Sequence, residues 1–398
     1  MSERFRDVAS IDYPILDCDA HVNEPPELWQ ERLPARLRQR SPRVERTPDG
    51  EVWVFDDGRE RWPVGLTAVA GLSFFDYKPI GVTYATMRPG SFEVKARLAD
   101  MDADGIYAQV LYPSVTLKGA RIYSGDRELQ TLCVRAYNEW LTELCRGSGG
   151  RLVAQAILPT TGLDDAIAEL EWALAHDHRG CVISSFPNGS LDPSPEDDRF
   201  WARCEEAGLP VAVHIGSFVR GGLATRRESW SSLAFVGMAA LTKAGGQTLP
   251  VVCDILFSGI FARFPRLRIV LVESNIGWIP TLLEQADDMF MRYRWYTKAV
   301  HEQKAFPSEI FHRNFWATFM VDTVGMDLRH RMNVDHLMWS SDYPHSGSDW
   351  PNSRVTIERV FRDVPKDEVK KMLHTNCREL YRLDHVPDRL LLDLSPRG

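Results

Sequence analysis

Three short apolar runs in this 398-residue chain each end in an acid or an imidazole. Near the N-terminus, Ile15-Leu16 leads into Asp17-Cys18-Asp19-Ala20-His21. In the middle, Pro210-Val211-Ala212-Val213 ends at His214. Towards the C-terminus, Leu337-Met338-Trp339-Ser340-Ser341 ends at Asp342, followed by Tyr343-Pro344-His345. A buried strand stops where its apolar run stops, so each polar group stands at a strand's carboxyl end. A barrel of parallel strands gathers all such ends on one face, the face that carries chemistry. Two carboxylates and two imidazoles gathered there form a site for a divalent cation.

The rest of the chain supplies the strands that such a barrel needs. Apolar runs predict strands near Tyr13–Asp19, Ile106–Tyr112, Leu152–Leu158, Gly180–Ser184, Pro210–His214, Leu267–Glu273, Trp316–Val321 and His336–Ser341. Helical periodicity lies between them, for example over Leu163–His176, Asp197–Ala207, Leu256–Phe264 and Ile279–Tyr293. Gly105 and Gly208 each follow a helical pattern and precede an apolar run, as a left-handed helix cap does. Eight strands alternating with helices predict a distorted TIM (β/α)8 barrel, with residues 1–398 forming one domain. The rival is an open doubly wound sheet, but no G-x-G-x-x-G follows the first strand.

Two stretches exceed an ordinary connection. The insertion 22–95 follows the first strand, and within it Glu51–Trp62 is predicted to form a hairpin turning at Asp57-Gly58. The helical insertion 218–247 follows His214. Both should lie over the strand ends, as a lid over a pocket or as an oligomer contact or decoration. Residues 384–398 are expected to form a C-terminal arm.

Composition narrows the function. A net charge of -8 and the lack of a basic stripe exclude a nucleic-acid surface. No apolar run approaches the ~18 residues of a membrane span, and the N-terminus shows no hydrophobic signal core. The 7 cysteines show no C-x-x-C spacing, which predicts free thiols in a reducing cytoplasm. Cys18 reads as a small buried strand residue rather than a catalytic thiol.

These residues, taken together, resemble the amidohydrolase superfamily. The resemblance is to amidohydrolase-related family 2, in the branch related to aminocarboxymuconate-semialdehyde decarboxylase and the resorcylate decarboxylases. It runs from about Leu16 to about Leu383. It rests on Asp19-Ala20-His21, on Met101–Ser114 (M-D-A-D-G-I-Y-A-Q-V-L-Y-P-S), on Val213-His214, on Ser341-Asp342-Tyr343-Pro344 and on Met372–Tyr381 (M-L-H-T-N-C-R-E-L-Y). The resemblance implies one divalent metal, zinc first with manganese or iron(II) as alternatives, and a homodimer. It also implies that Asp19 and His21 are metal ligands on the first strand, that His214 is the ligand closing the fifth barrel strand, and that Asp342 closes the eighth. Asp342 would both bind metal and pass protons. Residues two apart on a strand point the same way, so Asp19 and His21 can reach one ion. A strand-end hydrogen-bond pair is the plain alternative for those two, and a turn aspartate for Asp342.

Several positions depart from the family pattern. The first ligand is Asp19 where relatives carry Glu or His. The sixth strand, which in the decarboxylases ends in a proton-handling histidine, here ends at Glu273, within Leu271–Pro280 (L-V-E-S-N-I-G-W-I-P). A carboxylate there can orient water, accept a proton or join the metal shell. Gly180–Ser185 contains no lysine, which argues against a carbamylated-lysine bridge between two metals. His345 is a candidate catalytic base or an ordinary loop histidine.

A metal that lowers the pKa of bound water from ~15.7 towards ~7 supports hydrolysis of an amide, lactone or C–C bond. With Glu273 in place of the histidine, the expectation is a hydrolase acting on a small cyclic, aromatic-derived or conjugated substrate. The alternative is a non-oxidative decarboxylase of an aromatic or muconate-type acid, with Asp342 as the carbon acid. A barrel that binds a metabolite without turnover is a third. The catalytic candidates are therefore Asp342, Glu273 and His345. Asp19, Glu273 and Asp342 together outweigh a divalent cation, so an anionic substrate calls for added positive charge. Arg88 and Arg220, with Arg226 and Arg227 behind them, are the candidates, and Trp278 is a further expected substrate contact. Phe74, Phe75, Tyr77, Tyr84 and Trp230 in the insertions favour a flat ligand.

Overall fold

The computed structural model describes residues 3–73, 76–77, 80–115, 117, 119–218, 242, 246, 248–297 and 303–390. Eleven strands run through these residues. β1 (Leu16–Val22) precedes β2 (Arg43–Thr47), β3 (Gly50–Phe55) and β4 (Glu60–Pro63). Then come β5 (Ala108–Pro113), β6 (Leu152–Ile157), β7 (Gly180–Ile183), β8 (Val211–His214), β9 (Ile269–Val272), β10 (Phe315–Phe319) and β11 (Leu337–Trp339). β1 and β5 to β11 form one eight-stranded sheet in chain order, every paired neighbour parallel. Their residues are buried almost without exception, because helices cover one face and the opposite strands cover the other. All eight expected strands are present, and the fold is a nearly closed TIM barrel.

The polar strand ends themselves close it. The Asp342 N–H donates to the Asp19 carbonyl at 2.9 Å, and the His21 N–H donates to the Tyr343 carbonyl at 2.7 Å. These two bonds join the segment after β11 to β1. Inside the barrel, Leu16, Cys18, Val110, Tyr112, Val182, Val270 and Met338 form one apolar cluster, closed below by Cys377, Leu380 and Tyr381. Their sequence neighbours Leu111, Ile183, Leu271 and Trp339 belong to the larger cluster between strands and helices. β1 breaks this alternation. Cys18 packs inside but Ala20 and Val22 pack outside, and the pairing with β5 shifts register between Asp17 and Ala20. A bulge of this kind flips which face the following residues occupy. Asp19 and His21 therefore both turn inward at the mouth, while Asp17 stays against the outer layer.

One expected helix is corrected. The pattern over Leu256–Phe264 resolves into Thr248–Leu256 and Ile260–Arg263, separated at Gly259, whose φ of +73° lies in the left-handed region. Ser258 Oγ donates to the Ile255 carbonyl at 2.7 Å and helps end the first piece.

The insertion 22–95 carries an antiparallel sheet of β2, β3 and β4. The hairpin turns over Asp56–Gly58 as expected, and β2 is an added strand whose polar sequence hid it. Trp53 packs edge-on against Trp29 at 5.3 Å and stacks on Phe55 at 5.8 Å, and Trp29 Nε1 donates to the Cys133 carbonyl on the helix Arg127–Arg146. The sheet is fastened to the barrel by buried aromatic rings. Of the segment 218–247, only Phe218, Thr242 and Gly246 are among the described residues. In the C-terminal segment Val386 is buried and the Leu390 N–H reaches the Asp12 carbonyl at 2.7 Å. Among the described residues no helix is long and apolar enough to cross a membrane, and all seven cysteines are free thiols.

Candidate metal centre and its cavity

β1, β8, β9 and β11 deliver their terminal polar residues to one point at the barrel mouth. His21 Nε2 lies 3.4 Å from Asp19 Oδ1 and 3.1 Å from Asp342 Oδ1. His214 Nε2 lies 3.4 Å from the same Asp19 oxygen. Ligand atoms of Asp19, His21, His214 and Glu273 all fall within 4.8 Å of one another, as do those of His21, Asp342 and His345. The two groups share His21: Asp19, His21 and His214 converge together with Glu273, while Asp342 and His345 meet that group through His21.

The backbone fixes how both imidazoles point. His21 Nδ1 is 3.0 Å from the Pro113 carbonyl, and His214 Nδ1 is 3.0 Å from the Ile215 carbonyl. A carbonyl can only accept, so each Nδ1 donates to the backbone and each Nε2 is left facing the centre, where it can offer a lone pair to a cation. Three atoms there, Asp19 Oδ2, His21 Nε2 and Asp342 Oδ1, are fully buried and lack a well-formed hydrogen-bond partner among the described residues. Buried polar atoms left this way are costly. An oxygen and imidazole set with orphaned, converging acceptors fits a divalent cation.

Electrostatics agree with that fit. Burial would raise the Asp342 carboxyl, but His345 and His21 beside it outweigh burial and hold it well below the usual carboxylate range. Burial opposes a charge on His21, yet Asp342 and Asp19 raise its pKa overall. The same field attracts any cation. Burial, followed by the charge of His21, pushes His345 down to about 4. His345 Nδ1 lies 3.2 Å from Asp342 Oδ1, and its Nε2 is 3.1 Å from Ser114 Oγ. Its ring stacks on His21 at 3.7 Å. Glu273 adopts a left-handed φ of +54°, with its N–H held by Thr318 Oγ1 at 2.8 Å. Its carboxylate is 3.9 Å from His214 Nδ1. Burial, then the negative charges of Asp342 and Asp19, raise its pKa well above the usual value.

A cavity of about 240 Å³ opens beside this cluster. Ser114, Glu273, Asp342 and His345 form its polar side. Trp53 and Trp62, directly opposite each other on β3 and β4, form an apolar wall with Val115 and Leu117. Several expected substrate contacts are placed elsewhere. Arg88 pairs in a bidentate fashion with Asp100 at 2.7 and 2.5 Å and stacks over Trp350, because its positive charge finds a buried carboxylate closer than the cavity. Trp278 caps the helix Ile279–Tyr293 and gives its indole N–H to the Ser274 carbonyl. Tyr84 spends its hydroxyl on the Glu24 carbonyl and braces Trp53, while Tyr77 is not among the lining residues. Arg220, Arg226, Arg227, Trp230, Phe74 and Phe75 lie outside the described residues. Ser114 escaped the sequence reading although it directly follows β5, where the strand-end rule would have found it.

A family model, Amidohydro_2, described as amidohydrolase, matches residues 16–383. Among curated proteins, the chain is similar to "Decarboxylase orsB" of Emericella nidulans, with 24% identity over 217 residues, 50% of this chain and 60% of that one. The match thus spans less than two thirds of that relative. It is also similar to 2-amino-3-carboxymuconate-6-semialdehyde decarboxylase of Dictyostelium discoideum, with 22% identity over 296 residues, 72% of this chain and 76% of that one. Among solved structures, an amidohydrolase from Mycobacterium avium subsp. paratuberculosis K-10 aligns with a TM-score of 0.75 at 19% identity, covering 94% of this chain and 100% of that one. A dihydroxybenzoic acid decarboxylase from Polaromonas sp. JS666, solved with bound manganese and the inhibitor 2-nitroresorcinol, aligns at 0.60 and 17%, covering 94% and 98%.

Proposed function

Because the chain belongs to the amidohydrolase family, we propose that it is a metal-dependent carboxy-lyase that removes carbon dioxide from a hydroxylated aromatic or conjugated acid. The observation that carries this reading is the cavity itself: Asp342, between two imidazoles, shares its lining with an apolar tryptophan wall. The decarboxylase names of two curated relatives support it over the hydrolysis expected from Glu273.

Asp19, His21, His214 and Asp342 would hold the cation. It would supply a positive centre that binds a substrate oxygen and steadies the negative charge that grows as the C–C bond breaks. Manganese, present in the Polaromonas enzyme, is the first metal to test, ahead of zinc. Trp53, Trp62, Val115 and Leu117 would flank the ring and keep water from the carbon that becomes electron-rich. Asp342, held ionised, would accept the proton of the substrate hydroxyl and return it to the carbon that loses its carboxylate. His345, between Asp342 and Ser114, would hold that carboxylate in line. We also propose a homodimer in solution, to be tested by sedimentation velocity.

The decisive experiment incubates manganese-loaded and zinc-loaded protein with hydroxybenzoates and conjugated acids in deuterated, oxygen-18 water. Carbon dioxide release with one deuterium at the vacated carbon supports the reading. Oxygen-18 in the product without carbon dioxide makes the enzyme a hydrolase, and no turnover with either metal leaves a binding barrel.

A further inference from the structure

We propose that Asp17 is a positioning residue that fixes Asp342 through Ser341, from the outer side of the strand whose inner side carries Asp19 and His21. This rests on the reading of Asp342 as a metal ligand.

Asp17 lies before the bulge in β1, on the outer face of the barrel and fully buried. Four donors converge on its carboxylate. Oδ1 accepts the Ser341 N–H at 2.8 Å and the Asp19 N–H at 3.3 Å. Oδ2 accepts the Ser341 hydroxyl at 2.5 Å and Gln109 Nε2 at 2.9 Å. Gln109 in turn accepts from Arg97 Nε at 2.7 Å, so one amide joins a buried carboxylate to a buried guanidinium. Arg97 reaches the far side of the same turn, 3.4 Å from the Tyr343 carbonyl and with its cation 4.3 Å from the Tyr343 ring. The residues before and after Asp342 are thus both held by one network.

That grip fixes the turn. Asp342 has a φ of +56°, a left-handed conformation that aspartate tolerates better than most residues, and the bonds on either side of it hold it there. None of the four donors on Asp17 touches the cavity, and Asp17 is in neither group of converging ligands. A carboxylate whose two shortest bonds go to the residue next to a ligand acts on the geometry of that ligand. Partners of this kind typically change metal affinity ~10–100-fold.

The test measures Mn2+ binding to the apoprotein by calorimetry for wild type, Asp17→Asn, Asp342→Ala and the double variant, with unfolding followed alongside. Asparagine keeps the size but offers one oxygen to four donors. Asp17→Asn should bind Mn2+ ~10-fold or more weakly. Asp342→Ala should lose more, and the double variant should lose little beyond Asp342→Ala alone, because Asp17 grips the Asp342 side through two short bonds from Ser341 and touches Asp19 only through the longer N–H contact at 3.3 Å. Wild-type affinity in Asp17→Asn, or losses that add in the double variant, would overturn the proposal. A purely architectural Asp17 would give the additive result. Should Asp17→Asn fail to fold, Ser341→Ala carries the same test, and wild-type affinity there would overturn it. No readout involves substrate, so failure to find a decarboxylation leaves the outcome intact. Unchanged affinity in Asp342→Ala would overturn both this proposal and the ligand assignment.

Discussion

The barrel mouth and the inserted sheet meet at one cavity but hold their side chains by opposite means. At the mouth, Asp19, His21 and Asp342 are buried with ligand atoms left unsatisfied, and the backbone bonds at His21 and His214 aim both Nε2 lone pairs inward. In the inserted sheet, Trp53 is buried to 1% exposure, packed on Trp29 and Phe55, with its indole N–H 3.2 Å from Tyr84 Oη. The first region gathers buried charged and ligand atoms, and the second is built from packed aromatic rings. Chemistry should therefore depend on the mouth, and stability and substrate fit on the sheet.

The largest effects should come from the mouth. Asp342→Asn should lower turnover ~10²–10⁴-fold, the range for a positioned acid or base. His214→Ala should lose most of its metal, read by elemental analysis after dialysis, because a ligand is gone. Neither should unfold the protein. Full metal occupancy in His214→Ala together with ordinary turnover in Asp342→Asn would take both residues out of the site.

The sheet should respond in stability. Trp53→Ala removes a fully buried ring from an aromatic cluster and should cost about 3–5 kcal/mol in denaturant unfolding. Metal affinity of the folded protein should hold. If affinity falls in step with stability, the two regions are one unit and the contrast between them is lost. A smaller effect belongs to Trp62, which is only partly buried. Trp62→Ala should raise KM ~10-fold, equivalent to about 1.4 kcal/mol of ring contact, with little change in kcat. A selective fall in kcat would mean that the wall acts in the chemical step.

The same contrast explains what the sequence could reveal. The mouth was legible because a strand end and a chemical residue coincide: apolar runs stop at Asp19, His214 and Asp342, and the barrel brings them together. All eight strands could be read for the same reason, each being a short run buried on both faces. The wall was less legible, since β2 reads R-V-E-R-T and carries no apolar alternation. Trp53 and Trp62 sit in a recognisable hairpin, but that they face the cavity is a tertiary fact. Arg88 shows the reverse error: an arginine in the right insertion is taken by Asp100, a partner twelve residues on that no periodicity announces. Asp17 lies two residues before Asp19, and strict alternation would have put both on one face. Only the bulge separates them.

Glu273 sits between the two regions, and the smallest expected effect is there. It lines the cavity at the mouth, yet neither family resemblance nor packing assigns it a task in decarboxylation. Burial and the charges of Asp342 and Asp19 favour its neutral form. Glutamine resembles that neutral form in size and in hydrogen bonding. If the proton cycles between substrate and Asp342, Glu273→Gln should keep its metal and stay within ~10-fold of normal turnover, below the usual contribution of a general base. Hydrolysis demands more. A carboxylate would then have to take a proton from water, and the amide cannot, so turnover should fall by ~10²–10⁴-fold. Steady-state rates with metal content measured on the same samples separate these outcomes. A variant that instead loses its metal would make Glu273 a ligand, and the mouth would then carry three carboxylates where the proposed mechanism needs two.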